Sequence, residues 1–311
     1  MSDTMIMLFG GVTGLLLLAS LVGFVLSQKV VSEGGRATVE NLNARVKAWW
    51  LMVGLFAIAF AFGTEVTIVL FALTSFYSLR EFLSITPTRA EDHRAVAVSF
   101  YIFIPLQYWL IAVDWQTLFA ILIPVWAFLL LPLLSVLKGE TADFLPRTAR
   151  IQWALMLCVF CISHAPALLM LEFDGFEENF LLLFFLITVV QLSDVLQYVF
   201  GKLFGKHKVA PRVSPAKTWE GLIGGGLSAT AIGAALWWIT PFEPWEAGAM
   251  AFAIVFAGFA GGLVLSAVKR SLGAKDWGTM IEGHGGALDR MDSVSFAAPV
   301  FFHLTNYFFA I

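Results

Sequence analysis

Residues 247–311 read AGAMAFAIVFAGFAGGLVL, then SAVKRSLGAKDWGTMIEGHGGALDRMD, then SVSFAAPVFFHLTNYFFAI. A polar island, Ser266–Asp292, stands between two apolar runs, each near the 20 or so residues a helix needs to cross a bilayer. Within it, Lys269, Arg270, Lys275 and Arg290 can neutralise phosphate oxygens. Asp276, Asp289 and Asp292 are hard oxygen donors suited to Mg²⁺, which binds through one or two carboxylates plus substrate phosphates. A helical Leu288–Asp292 would set Asp289 and Asp292 on the same side. Gly285 and Gly286 let backbone N–H groups approach an anion closely. A solvated connecting loop, charged only to stay out of the bilayer, is the plain alternative. The interleaving of acids, bases, glycines and His284 favours a phosphate-and-metal site at a membrane surface.

Outward from this island the chain is apolar: 59% of its 311 residues are hydrophobic, 13% are charged, and 30 are Phe and 11 Trp. Soluble domains carry about 25% charged residues. The pattern predicts an all-α polytopic integral membrane protein with about ten transmembrane helices and a polar active site at the cytoplasmic face. The spans are Met5–Leu26, Trp49–Phe62, Val66–Leu79, Ala95–Val113, Thr117–Leu137, Ile151–Leu171, Phe180–Phe200, Leu222–Thr240, Ala247–Leu265 and Val294–Ile311. This division places all 19 Lys and Arg in alternate, same-side connections. The opposite side carries Glu65, Asp114, Glu172, Asp174, Glu177, Glu178, Glu243 and Glu246 without a base. By the positive-inside rule the basic connections are cytoplasmic. Trp49–Leu79 reads as two short spans turning at Gly63–Glu65, because one long helix would split the bases between the two sides. Residues 1–190 form N-terminal transmembrane helices, and residues 191–311 carry the catalytic motifs.

A second constellation lies on the seventh span. Gln191, Asp194, Gln197, Tyr198 and Gly201 recur at three- and four-residue steps, a polar stripe on an apolar helix. An ionisable residue inside a span is costly and usually functional; an Asp194 that only joins helices by hydrogen bonds is the alternative. In the next connection, Ser214-Pro-Ala-Lys217-Thr218-Trp-Glu220-Gly221 opens a helix with hydroxyls and a lysine, a ready anion site. Cys158, Cys161 and His164 have metal-ligand spacing but lie mid-span, where small buried cysteines are the ordinary reading. Gly258 and Gly262 form a GxxxG of the kind that lets membrane helices pack closely.

Together these residues carry a resemblance. Ser266-x-x-Lys269-Arg270, Lys275-Asp276-x-Gly278, and His284-Gly285-Gly286-x-x-Asp289-Arg290-x-Asp292 resemble the signature of the phosphatidate cytidylyltransferase (CDP-diacylglycerol synthase) family. Ser193-Asp194, Gly201-x-x-x-Gly205-Lys206 and Ser214 to Gly221 resemble that family's second motif. The motifs cover roughly the C-terminal third of the chain. Two departures stand out. Glu282 takes the place of the family's usual proline, and Gln197-Tyr198 and Gly201-Lys202 stand where Ala-Tyr and Gly-Arg are usual, near the depth of a lipid headgroup.

The resemblance implies CTP-dependent transfer of CMP to phosphatidate or a related lipid phosphate, giving CDP-diacylglycerol and pyrophosphate. It implies one or two Mg²⁺ ions held by Asp276, Asp289, Asp292 and Asp194, with Lys275 also catalytic. Ser214, Lys217, Thr218, Ser266, Lys269, Arg270, His284, Gly285, Gly286 and Arg290 would bind substrate. A homodimer in the cytoplasmic (inner) membrane is implied, with CTP and lipid as partners and no nucleic acid. A CTP-using lipid kinase of the dolichol kinase type and a membrane transporter are the alternatives; the absence of internal repeats counts against the second.

Overall fold

The computed structural model describes residues 3–29, 33–278 and 285–311, which are largely helical. The long helices are α1 (Asp3–Lys29), α2 (Glu33–Phe62), α3 (Thr64–Ser84), α4 (Ala90–Ala112), α5 (Gln116–Val136) and α6 (Phe144–Met170). They continue as α7 (Asn179–Phe204), α8 (Trp219–Ala235), α9 (Pro244–Ser271) and α10 (Ala287–Phe308). Among the described residues, seven helices are long and apolar enough to cross a membrane: α1, α3, α4, α5, α6, α7 and α9. The apolar part of α2 is the shorter Val46–Phe62, and α8 has 17 residues. The polar Asp289, Arg290 and Asp292 occupy the first turns of α10.

The chain reverses at Gly63, whose φ of +96° suits a residue without Cβ. Phe56 and Phe71 consequently meet with ring centroids 5.9 Å apart. In one straight helix, fifteen residues would separate them by roughly 22 Å. Trp49–Leu79 is therefore two helices, as the charge division requires.

Two features refine the sequence reading. The basic connections are in large part helix rather than loop: α2 already runs from Glu33, α3 carries Arg80, α7 carries Lys202 and α9 carries Lys269 and Arg270. Main-chain hydrogen bonding does not stop at the bilayer surface, so these helices extend into the polar zone. The fold is mostly helical, as expected, with one small addition. An antiparallel hairpin of β1 (Lys208–Ala210) and β2 (Ser214–Thr218) lies between α7 and α8.

Three wide π-helical segments, Ser99–Phe103, Leu122–Ala127 and Met156–Cys161, interrupt α4, α5 and α6. Cys158 and Cys161 are free thiols in the last of these, and Cys158 is fully buried. His164 lies beside Phe119, Phe160, Phe302 and His303, with Nδ1 2.7 Å from the Phe160 carbonyl. Among the described residues no group of three metal-ligating side chains forms there or elsewhere.

Small residues set the packing around the site. A Cβ at Gly225 of α8 would overlap the backbone at Leu196 and Gln197 of α7, so these helices touch main chain to main chain. On α9, Gly258 rests against Ser293 and Gly261 against the Asp292 carbonyl and Phe296 of α10. A buried Arg147–Asp92 pair, 3.1 Å apart, ties the starts of α6 and α4 together. The ends of α8 carry half-exposed tryptophans, Trp219 on one side and Trp237 and Trp238 on the other.

Candidate active site

Close packing of α7, α8, α9 and α10 brings the two sequence motifs together. The Ser293 hydroxyl donates to Asp194 Oδ1 at 3.2 Å, joining α10 to α7. Asp292, one residue earlier, accepts the Ser293 N–H at 2.8 Å and lies within electrostatic reach of Asp194. Lys217 enters from the end of β2. Its Nζ donates to the Phe259 carbonyl at 3.1 Å and stands 4.6 Å from the centre of the Phe259 ring. Gly262 makes the room: a Cβ there would lie 2.6 Å from the ammonium. Gly262 of the GxxxG thus makes room for Lys217 as well as lying against Ser293 of α10. Burial pushes the Lys217 ammonium below the usual lysine range, and the carboxylates of Asp194 and Asp292 act against that push. The result is two acids from different helices facing one lysine, with Arg290 and Lys269 also within electrostatic reach of them.

Asp289 behaves differently. Its Oδ1 accepts from Lys269 Nζ at 2.7 Å, both side chains being at most one-tenth exposed. Its Oδ2 accepts the N–H groups of Trp277 and Gly286, each at 2.9 Å. The sequence assigns Asp289 to metal; in the structure protein donors engage both of its oxygens, and it closes the loop onto the start of α10. The expected (i, i+3) pair is real, because α10 begins at Ala287.

Other expected site residues engage partners of their own or stand exposed. Lys275 and Asp276 stand exposed on the loop. Arg270 is turned towards the hairpin, donating to the Val213 carbonyl at 3.4 Å and to Ala274 at 3.1 Å. Ser266 donates back to Gly262 of its own helix at 2.6 Å. Thr218 caps α8 by accepting the Gly221 N–H at 3.1 Å, and Ser214 pairs with Ala210 in the hairpin. Glu220 binds the His207 ring at 2.6 Å and the Lys206 N–H at 3.1 Å, which fastens the hairpin to α8. Gly285 and Gly286 precede α10, and His284 lies outside the described residues. The stripe on α7 divides: Asp194 faces α10, Gln197 donates to Ser193 at 2.5 Å, and Gln191 lines an apolar cavity of about 270 Å³ between α1, α2 and α7.

Sequence reasoning missed Glu81, which reaches the Ala287 and Leu288 N–H groups from α3, and Phe82, which stacks on Trp277. Glu81 shares its connection with Glu91 and Asp92, so its spacing did not single it out.

A family model described as the cytidylyltransferase family matches residues 43–308. The chain belongs to this family. The match runs well beyond the C-terminal third and takes in most of the N-terminal helices of this cytidylyltransferase-family protein. Among its relatives, the uncharacterized protein YnbB of Escherichia coli K12 is 37% identical over 302 residues, covering 94% of this chain and 95% of that one. A phosphatidate cytidylyltransferase of Mycobacterium leprae is 41% identical over 169 residues, 53% of this chain and 52% of that protein. One of Staphylococcus aureus is 34% identical over 145 residues, 46% of this chain and 56% of that protein. The alignments with these two phosphatidate cytidylyltransferases thus span about half of each.

Proposed function

We propose that this cytidylyltransferase-family protein transfers CMP from CTP to a lipid phosphate of the phosphatidate class, releasing pyrophosphate and leaving a CDP-lipid. The observation that carries this reading is the meeting of Asp194, Asp292 and Lys217 beside the helix ends that carry Lys269 (α9) and Arg290 (α10). A phosphomonoester has its second pKa near about 6, so the lipid phosphate is largely dianionic at neutral pH. Its oxygen attacks the α-phosphorus of CTP, the bond from that phosphorus to the bridging oxygen breaks, and pyrophosphate leaves with the electron pair. No strong base is required. Lys217 and Arg290 offset the charge that accumulates on the phosphates, and the packed helices fix the reactants in line.

The donor set fits Mg²⁺. Two carboxylates on neighbouring helices leave the remaining positions to phosphate and water, as this ion prefers. Asp194 and Asp292 would hold it, and when bound it would supply charge neutralisation on the triphosphate. Asp289 and Asp276 are then assigned to loop architecture and the loop surface. Ten spans with the basic connections at the cytoplasmic face of the inner membrane are part of this reading, supported by the division of the 19 bases, and so is a homodimer, supported by the family resemblance.

Purified protein given CTP, Mg²⁺ and phosphatidate should yield CDP-diacylglycerol and pyrophosphate in equal amounts, and EDTA should stop the reaction. Formation of CDP with a newly phosphorylated lipid alcohol would replace this reading with a lipid kinase. For topology, cysteines engineered at Asn179 and Glu243 should react with an impermeant reagent added outside sealed cells. Labelling at Gly139 under the same conditions would reverse the orientation.

A further inference from the structure

The N-terminus of α10 is clamped by a side chain more than two hundred residues earlier in the sequence. Glu81, in the last turn of α3, accepts the Ala287 N–H on Oε1 and the Leu288 N–H on Oε2, both at 2.9 Å, across 206 and 207 residues. It is 8% exposed. Two glycines of the signature lie directly against it. A Cβ at Gly278 would stand 2.8 Å from Glu81 Oε1, and one at Gly286 would overlap the carboxylate. The next residue, Phe82, stacks on buried Trp277 with centroids 4.9 Å apart and planes 18° apart. One turn of α3 therefore grips both ends of the signature loop. A helix N-terminus attracts anions, and here a protein carboxylate takes the place that a phosphate would otherwise fill. On the function proposed above, the nucleotide phosphates would fall to Lys217 and Arg290.

We propose that Glu81 is a positioning residue, holding the start of α10, and through it Asp289 and Asp292, in the geometry that the transfer needs. The kinetic part of this inference rests on the CMP transfer proposed above. Glu81→Gln keeps the side-chain volume but replaces one acceptor with an amide donor facing a backbone N–H, so one of the two bonds is lost.

In the full-length protein in detergent, Glu81→Gln should lower kcat by about 10- to 100-fold, as expected of a slight misplacement of reacting groups. The KM for CTP should stay within about threefold, roughly 0.65 kcal/mol. Hydrogen exchange should quicken in the peptides carrying Trp277 and Gly286–Leu288 and nowhere in α1 or α2. Unchanged exchange and unchanged kcat would overturn the proposal. So would a higher kcat with a lower KM, which would make Glu81 a plug that substrate phosphate displaces. If the parent protein forms no CDP-lipid, the reaction is wrong, and the exchange measurement still decides the clamp. Should Glu81→Gln fail to fold, Gly278→Ala supplies the second test. It should lower the unfolding temperature on its own and add little in a Glu81→Ala background, whereas independent, additive losses would overturn the contact.

Discussion

Asp292→Asn should reduce CDP-lipid formation by at least about 10²- to 10³-fold, some 3–4 kcal/mol of transition-state stabilisation, while the protein unfolds at nearly its original temperature. Asp292 lies within electrostatic reach of Asp194 and Lys217, and it accepts a hydrogen bond from the adjacent Ser293 N–H. An amide oxygen can still accept that bond. What disappears is the charge that, with Asp194, would hold the ion on the phosphates. Asp194→Asn should behave alike, and the double variant should lose little more than either single one, since the two carboxylates act as a unit. Turnover near that of the parent in either single variant would remove that residue from the ion site.

Asp289→Ala should be the most destabilising substitution in the signature, with a drop of about 3–5 kcal/mol in stability. It strips the partner from a buried ammonium, Lys269, and leaves the Trp277 and Gly286 N–H groups without their acceptor. Removing one member of a buried pair costs more than removing both, because the survivor keeps its desolvation penalty. Adding Lys269→Met to Asp289→Leu should therefore restore part of the loss. Thermal unfolding followed by size-exclusion chromatography reads both effects. An Asp289→Ala protein as stable as the parent would show that the loop does not depend on this pair. The contrast with Asp292→Asn, which loses turnover without stability, separates the two aspartates of the (i, i+3) pair.

Much of the helical layout was legible from apolar run length and from charge. Each of the ten apolar runs coincides with a helix, and the alternation of the 19 basic residues called for the break that Gly63 makes. The hairpin was not legible. Lys208–Ala210 and Ser214–Thr218 are too short to show a period of two, and Pro215 argues against a strand by local rules. At the site, the pairing of Asp194 with the signature was expressed in the sequence, since an aspartate inside an apolar helix needs a polar partner. The division of labour among the acids was not. Which carboxylate stays available for an ion depends on where the Lys269 ammonium and the Trp277 and Gly286 N–H groups point. Spacing alone cannot say that they converge on Asp289 and spare Asp292. Glu81 was hidden for a similar reason, because a contact across more than two hundred residues leaves no periodic trace.

The length of α8 carries a last consequence. Its 17 residues, which begin at Trp219 and are followed closely by Trp237 and Trp238, span about 26 Å, against a hydrocarbon layer about 30 Å thick. Indole rings settle at the level of the headgroups, so a crossing α8 would draw the two faces of the bilayer towards each other where it stands. Lys217 lies two residues before Trp219, at the edge of that depression. Water-borne nucleotide and membrane-bound phosphate would then meet in a dimple of the bilayer whose depth is set by the length of one helix, with no soluble domain required to lift the lipid out.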